Sequence, residues 1–242
     1  MTGVGDATPT RLLCFGHRGA LAHAPENTLK GVERGVALGA DWIEIDVQLC
    51  AGGRAVVIHD RRLERCTSGH GLVADTPWAA LRALDAGDGE RIPLLDEVFE
   101  RVAGRAGLNV EIKGPGAAPE VVRVARRWLA RGWPAERLLL SSFDHRQLAD
   151  VRRLAPELGV GVLLAGVPLD LAACAEALGA RSVNLSVDFL DTALLEDARR
   201  RALRVYVYTV NDTDDIERCR RLGVDGVFSD YPERVVRGAS GS

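Results

Sequence analysis

The sequence lacks the features of a membrane protein or a nucleic-acid-binding protein. No run of about 18 apolar residues occurs in the 242 residues, and the apolar run Leu12 to Phe15 is too short for a signal-peptide core. The net charge is -3, whereas a nucleic-acid-binding protein normally carries a concentrated basic surface. We therefore expect a cytoplasmic protein with no membrane insertion and no nucleic-acid partner.

Cysteine and lysine are used sparingly. The five cysteines are scattered, and none has the spacing of a metal-binding motif, so we expect reduced thiols that pack as small apolar side chains. Of the 31 basic residues, only Lys30 and Lys113 are lysines. Lys113 lies two residues after Glu111. Either the protein needs a compact ammonium group at this position, or this lysine has been kept by chance.

Two segments, residues 42–49 and 108–113, alternate apolar and polar residues. In a β-strand each segment would turn its polar side chains to one face. The polar members are Glu44, Asp46 and Gln48 in the first segment and Asn109, Glu111 and Lys113 in the second. One such segment also fits a half-exposed antiparallel strand, but two of them favour a sheet with a polar interior.

Strand-like segments alternate with helix-like segments along the chain, which is typical of βα units and a parallel sheet. With 47% hydrophobic residues, the chain can bury one substantial core. We therefore expect a single domain over residues 1–242, with its core at about 12–236. The nine predicted strands are 12–16, 42–49, 55–59, 108–113, 138–143, 160–164, 182–187, 204–210 and 226–229.

Eight of these strands would close a (β/α)8 barrel, the TIM-barrel fold. The third strand does not fit, because only about six residues separate Leu49 from Val56 and a parallel crossover needs roughly a dozen. We expect residues 50–59 to fold back over the barrel mouth, with the turn at Gly52 and Gly53. A doubly wound open sheet is the alternative, but its phosphate-binding glycine loop is missing.

Two further segments lie outside the barrel strands. Residues 67–107 are expected to form a mouth-side excursion that acts as a lid, with Trp78 available to wall the pocket. Residues 237–242 are expected to be a disordered tail. The active sites of such barrels lie at the carboxyl ends of the strands. The polar residues expected there are His17, Glu44, Asp46, Glu111, Ser142, Asn184 and Tyr208.

A series of short motifs in this chain resembles the glycerophosphodiester phosphodiesterase family from about residue 12 to residue 236. The motifs are His17-Arg18-Gly19, Pro25-Glu26-Asn27-Thr28, Glu44-x-Asp46, His59-Asp60, Glu111-Ile112-Lys113, Ser142-Phe143-Asp144, Tyr208-Thr209-Val210-Asn211 and Gly226-Val227-Phe228-Ser229-Asp230-Tyr231-Pro232. The resemblance implies a (β/α)8 barrel that hydrolyses a small-molecule glycerophosphodiester. Glycerophosphocholine or glycerophosphoethanolamine would give sn-glycerol 3-phosphate and an alcohol.

The resemblance also implies roles for individual residues. The implied ligands of one divalent cation are Glu44, Asp46 and Glu111. The implied acid/base pair is His17 and His59. The implied substrate-binding residues are Arg18, Lys113, Ser142 and Tyr208.

Elementary chemistry agrees with these roles. Three converging carboxylates repel one another and are costly to desolvate, so they need a cation, and oxygen ligands suit Mg²⁺ or Ca²⁺. A phosphodiester is already anionic, and a cation together with Arg18 and Lys113 would neutralise the charge that repels an incoming oxygen. Two histidines that titrate near neutrality can serve as base and acid.

Three positions depart from the family pattern. Where the family usually has Thr-x-Asp-Gly, this chain reads Cys50-Ala51-Gly52-Gly53, so an acidic turn residue is lost. Tyr208 stands where tryptophan is common, and Ser229 where threonine is common. The change at Tyr208 bears on the leaving-group preference and leaves the expected chemistry in place.

Several residues near the motifs fit two interpretations. Glu26 and Asn27 fit either a helix start, with Asn27 as N-cap, or direct contacts to the site. Asp60 and Asp230 fit either orientation of neighbouring groups or capping of loops. The histidines expected to be structural are His23, His70 and His145, but His23 is near enough to the mouth that a role in the site stays open for it.

Three other functions fit the sequence less well than hydrolysis of glycerophosphodiesters. A lysophospholipase D acting on lysophospholipids would need an apolar groove in residues 67–107, which are mostly polar or small. Phospholipase D toxins are secreted and disulfide-bonded, which does not fit this chain. A barrel that only binds glycerophosphodiesters would not need two histidines and a full set of metal ligands.

Overall fold

The structure, a computed structural model, describes residues 11–237. Residues 238–242 of the predicted disordered tail lie outside the described residues, and Arg237 ends the last helix. None of the helices within residues 11–237 is both long and apolar enough to cross a membrane.

Eight parallel strands close a barrel, as predicted, and a ninth short strand lies beside it. The strands are β1 Leu13–Gly16, β2 Trp42–Leu49, β3 Ala55–Val57, β4 Gly107–Ile112, β5 Leu138–Ser142, β6 Gly159–Leu164, β7 Ser182–Ser186, β8 Arg204–Tyr208 and β9 Gly226–Ser229. The barrel closes because β1 pairs in parallel with both β2 and β9. This closure confirms the TIM barrel and excludes the open sheet.

Helices follow the barrel strands and pack on their outer surface, apart from the short helix Trp78–Ala83, which lies between β3 and the next barrel helix and packs in a separate cluster. The helices are α1 Leu29–Ala37, α2 Trp78–Ala83, α3 Leu95–Val102, α4 Ala118–Leu129, α5 His145–Leu154, α6 Ala173–Ala177, α7 Thr192–Arg200, α8 Thr213–Arg221 and α9 Pro232–Arg237. Four of them begin at a side chain that accepts a backbone hydrogen bond. These N-caps are Thr28, Asp144, Asp191 and Asp212.

Side-chain alternation divides the barrel strands into two faces. In β2, Ile43, Ile45 and Val47 are fully buried in the large apolar cluster that also includes side chains of the surrounding helices. The other face of the strands looks into the barrel, where an aromatic cluster around Phe15 is closed by Trp42 at 5.4 Å between ring centroids. This cluster forms the barrel floor, and the polar side chains of the mouth lie above it.

The excursion between β2 and α3 has its own small core. Strand β3 folds back and pairs antiparallel with β2, as predicted for residues 50–59. The turn before β3 has φ values of +90° at Gly52 and +77° at Gly53, which glycine adopts readily. The apolar side chains of the excursion form a separate cluster that includes Trp78. Trp78 therefore does not line the small pocket at the barrel mouth, a role that the sequence left open for it. The excursion ends at Leu94 rather than at residue 107, because α3 is a barrel helix.

Candidate active site

Three carboxylates meet at the barrel mouth. Strands β2 and β4 are neighbours, and their register places Asp46 beside Glu111 and Glu44 beside Asn109. Oxygen atoms of Glu44, Asp46 and Glu111 lie within 4.8 Å of one another, and these residues form a group that could hold a metal ion. Glu44 and Asp46 are buried, with 3% and 1% of their surfaces exposed.

Without a cation, burial and mutual repulsion disfavour the charged forms of these carboxylates. Burial, and then the charge of Asp46, raises the pKa of Glu44 to about 8. The same two causes raise the pKa of Glu111. Lys113 Nζ lies 2.8 Å from Glu111 Oε1 and 3.7 Å from Asp46 Oδ1, and Arg18 Nε lies 3.4 Å from Asp46 Oδ2. Two cations against three carboxylates leave one negative charge, so the donor set fits a divalent ion.

A tight turn after β1 positions Arg18 beside these carboxylates. The backbone N–H of Arg18 donates a 2.8 Å hydrogen bond to Glu44 Oε2. Gly19 has φ +95°, and a Cβ there would lie 2.4 Å from the carbonyl carbon of Gly31, so only glycine fits. Arg18 Nε is buried and has no hydrogen-bond partner among residues 11–237, so it can donate to an oxygen of a bound ligand.

Each of two histidines is held by its own aspartate. His17 Nδ1 is 2.6 Å from Asp230 Oδ1, and His59 Nδ1 is 2.6 Å from Asp60 Oδ1. An ionised aspartate can only accept, so each Nδ1 carries a proton and each Nε2 is left to exchange one. Asp60 and Asp230 therefore orient the histidines. Of the two interpretations left open for these aspartates, the structure supports the orientation of neighbouring groups over the capping of loops.

The two histidines differ in pKa. Burial alone would lower the pKa of His17, but the Asp230 hydrogen bond and the Glu44 charge outweigh it, and the pKa is raised. Burial lowers the pKa of His59, and the opposing effects of Asp46 and Asp60 do not cancel it. At neutral pH the protonated form is therefore favoured more at His17 than at His59.

Three amide side chains fix the positions of these groups. Asn211 donates to Asp230 Oδ2 at 2.6 Å, and Gln48 Nε2 binds the backbone carbonyls of His59 and Asp60 at 2.9 and 2.6 Å. Asn27 donates to Asp46 Oδ2 at 2.8 Å. Of the two interpretations left open for Asn27, the structure supports contact with the site, and the neighbouring Thr28 is the N-cap. Alternation along β2 had placed Gln48 on the polar face, but its carbonyl partners were not readable from the sequence.

A small pocket extends from the carboxylates over the aromatic floor. Its lining residues are His17, Glu44, Asn109, Glu111, Ser141, Phe143, Leu163, Tyr208 and Phe228. The structure places Tyr208 there as expected, with its hydroxyl donating to Leu164 O at 2.8 Å. Ser142 does not line this pocket, because it is one residue out of phase and its hydroxyl donates to Ile112 O. Ser141 takes its place.

Two of the histidines expected to be structural have hydrogen-bond partners outside the group of Glu44, Asp46 and Glu111. His23 Nε2 bonds to Glu233 at 3.0 Å, and His145 Nε2 bonds to the backbone carbonyl of Leu163 at 3.2 Å. His70 is exposed on the excursion. Asn184 is buried inside the barrel, where its Oδ1 accepts from the hydroxyl of Ser182.

Two histidines, each held by an aspartate, thus stand beside buried carboxylates at the mouth of a parallel barrel. The fold and the site together define the class, a TIM-barrel enzyme with its candidate active site at the barrel mouth. Comparison with known proteins narrows this class. The family model of the glycerophosphoryl diester phosphodiesterase family matches residues 17–234. The chain belongs to this family, and it is an enzyme that hydrolyses phosphoric diesters.

Individual relatives resemble the chain over nearly its whole length. A glycerophosphodiester phosphodiesterase of Caldanaerobacter subterraneus subsp. tengcongensis is 35% identical and covers 93% of this chain and 97% of its own. A solved Oleispira antarctica phosphodiesterase, in complex with the product sn-glycerol-3-phosphate, has a TM-score of 0.88 at 33% identity, covering 95% and 97%. A solved glycerophosphodiester phosphodiesterase of Thermotoga maritima has a TM-score of 0.79 at 27% identity, covering 94% and 98%.

Proposed function

We propose that the enzyme hydrolyses glycerophosphodiesters, such as glycerophosphocholine and glycerophosphoethanolamine, to sn-glycerol 3-phosphate and the free alcohol. In this proposal Glu44, Asp46 and Glu111 hold one divalent cation, Mg²⁺ or Ca²⁺, and His17 and His59 exchange protons. The observation that carries it is the convergence of three carboxylates within 4.8 Å beside two aspartate-held histidines. The product bound to the Oleispira relative supports the choice of substrate.

The proposed cation fits the chemistry of the site. Its ligands would be carboxylate oxygens, which suit a hard cation. A divalent ion would change the net charge of the cluster from one negative to one positive, which matches the single negative charge of a phosphodiester. When bound, it would withdraw charge from the phosphate oxygens and make phosphorus more electrophilic.

Side chains of this chain would bind the phosphate and transfer the protons. Arg18 and Lys113 would hold the phosphate, because both cations border the carboxylates and Arg18 Nε has no hydrogen-bond partner among the described residues. His59, whose pKa is lowered, would take the proton of the attacking oxygen. His17, whose pKa is raised, would give a proton to the leaving alcohol. The ring of Tyr208 would form the pocket wall.

Cation binding is expected to strengthen as the pH rises. The pKa of Glu44 is raised to about 8 in the protein without a cation, and that of Glu111 is also raised. Below pH 8 a cation must therefore displace a proton, which weakens binding by up to about tenfold per pH unit for each proton displaced. Calorimetric titration of cation-free protein with Ca²⁺ between pH 6 and 9 measures this. An affinity that does not change across this range would contradict the proposed ligand set.

The attacking oxygen has two candidate sources, water and the glycerol hydroxyl next to the phosphoester. Ser141 is the aliphatic hydroxyl of the pocket, but its partner is the Asn109 amide at 3.0 Å, which cannot take its proton. We favour the glycerol hydroxyl, because it is already held beside phosphorus. Its attack would displace the alcohol and form a cyclic phosphate, which water would then open to sn-glycerol 3-phosphate.

A substrate whose glycerol 2-hydroxyl is replaced by hydrogen is expected to bind with unchanged affinity and to turn over at least about 10³-fold more slowly, because proximity is lost. Steady-state rates with the two substrates measure the difference, and trapping of a cyclic phosphate from the parent substrate would accompany it. Equal turnover of both substrates would make water the nucleophile.

A second candidate function, lysophospholipase D activity, is favoured by one observation. Four large apolar side chains are exposed on the loops after β5, β6 and β7 at the mouth. They are Phe143, Val167, Leu169 and Phe189. Phe143 also lines the pocket, so an acyl chain attached to the glycerol could contact this surface. The excursion, by contrast, buries most of its apolar side chains in its own cluster.

One assay separates the two candidates. Purified enzyme is given glycerophosphocholine or monomeric lysophosphatidylcholine, and the products are identified by mass spectrometry. The leading proposal predicts sn-glycerol 3-phosphate and choline, with the higher kcat/KM for glycerophosphocholine. A higher kcat/KM for lysophosphatidylcholine, reduced by Phe189→Ser without effect on glycerophosphocholine, would establish the second candidate instead.

We also propose that the enzyme works in the cytoplasm. All five cysteines, which lie within the described residues, are free thiols, and free thiols fit a reducing compartment. Fractionation of cells with antibody detection tests the location.

A further inference from the structure

Arg65, on the excursion, joins two loops of the barrel mouth. Its Nε and Nη2 donate to the two carboxylate oxygens of Asp60 at 2.5 and 3.0 Å. Its Nη1 and Nη2 donate to the two carboxylate oxygens of Glu26 at 2.6 and 2.7 Å. Glu26 belongs to the loop between β1 and α1, whereas Asp60 belongs to the excursion. One guanidinium therefore bridges two segments that are distant in sequence.

Each carboxylate that Arg65 holds also holds a residue of the proposed site. Asp60 Oδ1 accepts from His59 Nδ1 at 2.6 Å, and Glu26 Oε1 accepts from Arg18 Nη1 at 2.9 Å. A continuous series of charge-assisted hydrogen bonds therefore links the proposed base to the proposed phosphate-binding arginine. We infer that Arg65 is a positioning residue that fixes His59 and Arg18 relative to one another.

Arginine is the side chain suited to this bridge. Its planar fork presents donors on two edges, and here each edge serves one carboxylate, which the single ammonium of lysine cannot do. The hydrogen bonds from Arg65 hold the pKa of Asp60 well below its usual range, so Asp60 stays an acceptor for His59. Arg65 is 49% exposed, and exposed ion pairs add little to stability. Its removal is therefore expected to change catalysis more than folding.

The inference rests on the proposed function and is tested first by kinetics. Arg65→Met is expected to lower kcat/KM by about 10- to 100-fold, as loss of an orienting partner commonly does. Both kcat and KM should change, because the bridge reaches a proton-exchanging residue on one side and a phosphate-binding residue on the other. Arg65→Lys should recover only part of the loss. The matched control is Arg62→Met, since Arg62 is exposed on the same segment and pairs with Glu64.

Double-mutant cycles separate the two arms of the bridge. Arg65→Met should lower kcat much less in an Asp60→Asn background than in the wild type, and it should raise KM less in a Glu26→Gln background. Additive effects in both cycles would overturn the inference, because Arg65 would then act independently of both carboxylates. Urea denaturation of each variant checks that the fold is retained.

A readout that does not depend on turnover completes the test. Exchange of the His59 Nδ1 proton with water, followed by NMR, should accelerate in Arg65→Met and stay unchanged in Arg62→Met. If the wild type is inactive on glycerophosphodiesters while this exchange still depends on Arg65, the proposed function fails and the positioning role stands. If the wild type is active and Arg65→Met alters neither kinetics nor exchange, the inference is wrong.

Discussion

Replacing Glu44 or Glu111 by alanine is expected to reduce hydrolysis of glycerophosphocholine by about 10³-fold or more. Either change removes one of the three proposed oxygen ligands gathered within 4.8 Å, and a bound cation supplies several kcal/mol of charge stabilisation to such a reaction. Both variants should also lose calorimetrically detectable binding of Mg²⁺ or Ca²⁺. Turnover and cation titration are measured on the same protein preparations.

Glu33→Ala provides the matched control for this loss. Glu33 lies on α1, its side chain is 41% exposed, and it pairs with Arg105 on the protein surface. An exposed pair of this kind contributes little, so the variant should keep wild-type turnover and cation binding. A Glu44→Ala or Glu111→Ala variant that matched this control in both measurements would remove that residue from the ligand set.

His17→Ala and His59→Ala are each expected to lower kcat by about 10² to 10⁴, the usual contribution of a positioned acid or base. Each imidazole is held through Nδ1 by an aspartate, so its loss removes a proton carrier at Nε2. Steady-state kinetics across the pH range measure the change. His70→Ala, on the exposed part of the excursion, should leave kcat unchanged.

The two histidine variants have distinct failure outcomes. A variant that kept the wild-type rate at every pH would show that its histidine is structural. Loss of folding is separated from loss of chemistry by urea denaturation, since the side chains of His17 and His59 are 17% and 28% exposed and neither belongs to the apolar core.

Periodic patterns made the barrel and the centre of the site predictable. The alternation in residues 42–49 and 108–113 placed Glu44, Asp46 and Glu111 on one face, and the parallel register of β2 and β4 then brings them together. The spacing between Leu49 and Val56 was too short for a parallel crossover, and the structure shows β3 antiparallel to β2. These features depend on local sequence and on the geometry of strands.

Other features depended on contacts that no local pattern encodes. The motif that contains Ser142 did not reveal which of two adjacent serines faces the pocket, because this depends on the register of β5 against β4, which places Ser141 beside Glu111. Asn27 resembled an N-cap, but its amide binds Asp46, 19 residues away. No sequence pattern pointed to a role for Arg65, because its contacts with Asp60 and Glu26 depend on how the excursion folds over the mouth. Ion pairs between distant loops require the tertiary structure.

Hydrolysis is proposed to depend on one divalent cation held by three carboxylates. The most direct measurement is the turnover of glycerophosphocholine by purified enzyme before and after exhaustive dialysis against a chelator, followed by addition of Mg²⁺ or Ca²⁺. We expect that dialysis abolishes turnover and that one of these cations restores it in the wild type but not in Glu111→Ala. Full turnover by the chelator-dialysed wild type, with no cation added, would contradict it.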